Sequence, residues 1–87
     1  MTQKEKLISR ILSGTSDHNI EFKELTGLLN SFSFNCGIKG SHHIFHKNTI
    51  EEIINIQPLP NNKAKPYQVK QIRLLILKYH LNLEDNA

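Results

Sequence analysis

Apolar residues change their spacing twice along this chain, and that change limits the fold more than any other feature. Phe22, Leu25, Leu28, Leu29 and Phe32 step by three and four, the repeat of one helix face. Ile50, Glu52, Ile54 and Ile56 then occupy alternate positions, the repeat of one strand face. The helical step returns at Val69, Ile72, Leu75, Ile76 and Tyr79, behind Pro66, which suits a first helical turn. Each such element has one apolar face to cover, so this order predicts helices laid on one face of a sheet.

The remaining segments fill in that frame. Leu7, Ile8, Ile11 and Leu12 predict a first helix over about residues 3–13, ended by Gly14. The small polar stretch Gly14 to Asn19 reads as a loop. A second helix is expected over about 21–31, with Glu21 and Glu24 at its positive N-terminal end. Phe34 to Lys39, Ser41 to Lys47 and Ile50 to Gln57 read as three short strands, with Gly37 and Gly40 placed to bend the chain. Strands this close in sequence form an antiparallel meander. Pro58 to Pro66 holds all three prolines and reads as a basic loop before a last helix running to about His80. The expected class is α+β, in the order α-α-β-β-β-α.

Length and composition narrow the function classes. Eighty-seven residues close one small core, so residues 1–87 are expected to form a single domain. Only 38% of residues are hydrophobic, but eleven Ile and eleven Leu among them are enough to pack two layers. The longest apolar run, Leu74 to Leu77, is far short of the roughly 20 residues that span a bilayer. Met1 to Lys6 is polar, with no apolar signal region behind it, so a soluble cytoplasmic protein without membrane contact is expected. The lone Cys36 forms no internal disulfide and no four-cysteine zinc site. A small domain without such staples is often marginally stable alone, which favours a stabilising partner.

Charge is unevenly spread. Residues 1–38 are neutral overall, whereas 39–80 carry Lys39, Lys47, Lys63, Lys65, Lys70, Arg73 and Lys78 against only Glu51 and Glu52. Glu84 and Asp85 bring the total to +3. A basic half on a small domain points to a polyanion, most simply nucleic acid, although each lysine alone is as well explained as a solvated side chain.

The densest chemistry is Lys39-Gly40-Ser41-His42-His43-Ile44-Phe45-His46-Lys47. If Phe45 points to the helices, His43 shares its side and His42, Ile44 and His46 face the open side. On a strand His42 and His46 are about 13 Å apart, too far to share one zinc ion, so no metal cofactor is expected. Nothing marks Cys36 as an activated partner for a histidine, and a buried, inert thiol is its ordinary state. A lone histidine near lysines fits general acid–base work on a phosphodiester, where a base activates a ribose 2′-hydroxyl and cations offset the added charge. The residues alone leave open that the histidines do no chemistry. Phe32, Phe34 and Phe45 are expected in the core, Tyr67 is a candidate for contact with RNA, and Glu51 and Glu52 carry no catalytic assignment.

The run Lys39-Gly40-Ser41-His42-His43-Ile44-Phe45, followed by an Ile-rich strand and a last helix rich in Lys, Ile and Leu, resembles the HicA toxin family over about residues 22–80. The resemblance implies a fold like the double-stranded RNA-binding domain and a toxin of a type II toxin–antitoxin system. Such toxins are mRNA interferases that stop translation until a HicB-type antitoxin covers the active surface. The family's catalytic histidine, that of its Gly-Ser-His motif, falls on His42. His43 is the reserve, since a bulge at Gly40 would exchange the faces. Lys39, Ser41, Lys47, Lys63, Lys65, Tyr67, Lys70 and Arg73 form the expected RNA track. The alternative is a non-catalytic RNA-binding module of the same fold. Two departures from the family pattern stand out: Gln57, Pro58, Leu59 and Pro60 occupy the place after the third strand where many members carry a second histidine, and an extra helix precedes the family's usual first one.

Overall fold

The structure, a computed structural model, describes residues 2–83; Glu84 and Asp85, counted in the charge above, lie outside the described residues. The chain runs α1 (Gln3–Ser13), a 3-10 turn (Asp17–Asn19), α2 (Phe22–Ser31), β1 (Asn35–Lys39), β2 (His42–Lys47), β3 (Ile50–Ile56) and α3 (Pro66–Tyr79). The protein is α+β: three helices with a three-stranded antiparallel sheet in the order β1-β2-β3.

Local chemistry accounts for the helix ends. Thr2 caps α1: its hydroxyl accepts from the Glu5 N–H, while the Glu5 carboxylate accepts from the Thr2 N–H. The bond from the Thr2 N–H, with the Thr2 hydroxyl beside the same carboxylate, lowers the Glu5 pKa below the usual carboxylate value. Gly14 ends the helix in the left-handed region at φ +71°. At α2 the Glu21 N–H donates to the Glu24 carboxylate at 3.1 Å.

One face of the sheet is sealed. Phe45 of β2 and Ile50, Ile54 and Ile56 of β3 are buried with Phe22, Leu25, Leu28, Leu29 and Phe32 of α2, and Val69, Ile72, Leu75 and Ile76 of α3. Burying each large side chain stabilises the fold by roughly 1.5–3 kcal/mol before its ordering entropy is counted. The other face is open: Ile53 is 64% exposed, and His42, His46, Glu51 and Asn55 are exposed too. The helix layer stops short of β1, all five of whose residues are exposed. Cys36 is therefore not the buried thiol expected for it.

Each strand is one residue shorter than the alternation predicts, for three separate reasons. The Phe34 N–H donates to the Leu29 carbonyl and so completes the end of α2 instead of joining the sheet. Ser41 belongs to the β1–β2 turn, between the paired residues Lys39 and His42. At Gln57 the strand's partner is a side chain: the buried Gln68 amide, oriented to satisfy both its groups, donates to the Gln57 carbonyl at 3.2 Å and accepts from its N–H at 3.0 Å.

The first helix is part of the body. Leu7 and Ile11 of α1 are buried, and Arg73 of α3 donates to the Ile11 carbonyl at 3.0 Å and to both oxygens of Asp17 at 2.9 and 3.1 Å. The Pro-rich loop is tied down as well. Ala64 N–H donates to the Ile20 carbonyl at 2.8 Å and Phe22 N–H to the Asn62 carbonyl at 3.0 Å.

Candidate functional site

The site begins with a two-residue turn. Gly40, at φ +62°, takes a conformation that few other residues adopt, which suits the twist of a tight hairpin and brings β1 directly back as β2. Pairing then runs unbroken from Lys39↔His42 through Ile38↔His43, Gly37↔Ile44 and Cys36↔Phe45 to Asn35↔His46. The irregularity of β2 lies further on, between Phe45 and Lys47 and against β3. With no bulge at Gly40, the faces follow plain alternation.

His42 and His43 therefore have opposite surroundings. The His43 ring stands edge-on to Phe22, centroids 4.9 Å apart, and is half-buried on the helix side with its Nδ1 unpartnered. His42 is exposed on the open side, and its Nδ1 lies 3.0 Å from the Asn55 Oδ1 of β3. Lys39, His42, Ile44 and Asn55 together line an open cavity of about 360 Å³. Lys39 and His42 face each other across the strand pair, which sets their Cβ atoms roughly 5 Å apart.

A polar chain flanks this cavity. The Gln57 Nε2 donates to the Ser41 Oγ at 2.7 Å, and its Oε1 faces the Lys65 Nζ at 3.5 Å. Gln68 holds the backbone of the same glutamine, so a buried residue of α3 positions the residue that braces the turn before His42.

Besides Lys65, which faces Gln57, three of the expected RNA-contacting cations have other partners. Arg73 forms the two-pronged pair with Asp17, which raises its pKa above the ordinary guanidinium value and joins α3 to the segment after α1. Lys63 is bound to Glu21 at 2.6 Å and Asn19 at 3.0 Å, so it ties the Pro-rich loop to the start of α2. Lys47 points to the helix side: it donates to the Phe32 carbonyl at the end of α2 at 2.7 Å and lies over the Phe34 ring. Tyr67, 65% exposed, and Lys70 stand outward on α3.

The other candidate chemistries find no support in the geometry. Among the described residues no three His, Cys, Asp or Glu side chains come together as a metal-ligand set. Cys36 opposes Phe45, not a histidine. Glu52 lies on the helix side, where Lys78 and Tyr79 donate to its carboxylate and lower its pKa to about 2. Asn55 and Gln57 carry no assignment in the sequence reading, yet they are the residues that meet His42 and Ser41. Their signal was the other half of the β3 alternation, Glu51, Ile53, Asn55 and Gln57, which shares the histidine's face.

No family model, curated protein or solved structure matches this chain. No helix among the described residues is long and apolar enough to cross a membrane.

Proposed function

We propose that this protein is the toxin of a type II toxin–antitoxin pair, a metal-independent endoribonuclease that cuts mRNA in the cytoplasm and is neutralised by a HicB-like antitoxin. The observation that carries the reading is the placement of His42 on the uncovered sheet face, in one cavity with Lys39. It supports the resemblance of Lys39-Gly40-Ser41-His42 to the HicA motif. The α-α-β-β-β-α order, with helices on one face, agrees with a domain like the double-stranded RNA-binding fold preceded by α1.

The chemistry needs one base and a cation. The free nitrogen of His42 takes the proton of a ribose 2′-hydroxyl as that oxygen bonds to the adjacent phosphorus. The bond from phosphorus to the 5′ oxygen breaks, that oxygen takes a proton from water, and the hydroxide left takes back the proton held by His42. The Lys39 ammonium offsets the negative charge gained by the phosphoryl oxygens. The products are a 2′,3′-cyclic phosphate end and a 5′-hydroxyl end. Tyr67 and Lys70 of α3 supply further RNA contact, and the antitoxin acts by covering the open face.

One observation favours the alternative, an RNA-binding module without catalysis: Gln57, a side chain that does not titrate, occupies the place after β3. The two readings separate on His42→Ala in the purified protein with chelator present. Cleavage of an mRNA substrate should fall about 10²–10⁴-fold while affinity for that RNA stays within about twofold. Binding without cleavage by the wild type makes the protein a module. Cleavage lost in His43→Ala and kept in His42→Ala moves the base to the other face.

A further inference from the structure

Three histidines lie on β2, and they differ in what holds the ring. His43 has an unpartnered Nδ1 against Phe22, and His46 is exposed opposite Asn35. Among the described residues only His42 has a side-chain acceptor at a ring nitrogen, the Asn55 Oδ1 at 3.0 Å. An amide oxygen accepts and never donates, so the Nδ1 beside it carries the proton. The hydrogen bond at one imidazole nitrogen sets the state of the other. A neutral His42 in this contact has its lone pair on Nε2.

The contact is built by the sheet. Asn55 pairs with Ile44 in register, which makes it the diagonal neighbour of His42 on the same face, within reach of a side-chain bond. Asn55 and His42 also line the same cavity. Of the two β3 carboxylates, Glu52 is on the covered face and taken by Lys78 and Tyr79, and Glu51, on the open face, lies about 13 Å along the strand from Asn55, so neither serves this ring.

We propose that Asn55 is the positioning residue for His42: its amide oxygen holds the Nδ1 proton and leaves Nε2 as the base presented to RNA. This rests on the reading of His42 as the base and adds to it the group that fixes which nitrogen acts. Asn55 itself touches no reacting atom.

The test reads the tautomer and the rate separately. Long-range ¹H–¹⁵N spectra of ¹⁵N-labelled protein should show neutral His42 protonated at Nδ1. Asn55→Leu should lose that signature with the other backbone resonances in place, whereas Asn55→Asp, which keeps an acceptor, should retain it. For RNA cleavage Asn55→Leu should lower kcat about tenfold with KM within about twofold, and Asn55→Asp should restore most of the rate. A wild-type ring protonated at Nε2, or a tautomer unchanged in Asn55→Leu, overturns the proposal. So does a lost tautomer with kcat unaltered. If the wild type cleaves no RNA, the nuclease reading fails, and the spectra still decide whether Asn55 sets the ring.

Discussion

The two faces of β2 carry similar residue types and put them to different uses. Phe45 and Lys47 point into the helix layer, where the ring is fully buried and the ammonium closes the end of α2. His42 and Ile44 face outward, next to Lys39, in a cavity open to solvent. Direction decides what a cationic side chain does here: Lys47 is a helix cap, whereas Lys39, across from His42, is free to meet a phosphate. Residue type alone does not distinguish them.

Substitutions on opposite faces sharpen that contrast. Phe45→Ala should cost about 3–5 kcal/mol in denaturant unfolding, whereas Ile44→Ala on the open face should cost under about 1 kcal/mol. Equal losses would mean that the sheet is covered on both sides. Lys47→Ala should lower stability by about 1 kcal/mol and leave the salt dependence of RNA binding unchanged. Lys39→Ala should do the reverse, reducing the slope of log affinity against log salt by about 1. Interchanged results would place the RNA on the helix side.

Acid should also act on the covered side. Glu52 has its pKa lowered from 4.5 to about 2 by bonds from Lys78 and Tyr79, so its contribution is present above about pH 4.5 and is lost as pH falls toward 2. Glu52→Gln should be less stable than the wild type at neutral pH and lose less stability over that interval, as read from unfolding midpoints. The smallest effect expected is that of Cys36→Ser, within about 0.5 kcal/mol of the wild type, because β1 is exposed on both faces.

Much of this architecture was legible in local pattern, because helix and strand periods depend on near neighbours. The alternation through Phe45 was enough to put His42 and His43 on opposite sides, and Gly14 marked the end of α1. Long-range pairing was not legible. Arg73 meets Asp17 across 56 positions and Lys63 meets Glu21 across 42, and no spacing rule links residues so far apart. For that reason a count of basic residues overestimates the cations not already engaged within the fold. The strand ends were blurred for a related cause: Gln57 bonds to a side chain from α3, which imitates one more pair of the ladder.

The Arg73 guanidinium spans α3, the Ile11 carbonyl and Asp17, so the opening helix is held from both of its chemical sides, apolar and polar. Trimming the chain up to Gly14 would remove Leu7 and Ile11 from the interior and take the Ile11 carbonyl from Arg73, leaving that cation only Asp17. Progressive shortening from the amino end should therefore produce an abrupt drop in melting temperature once Leu7 is reached, not a gentle decline.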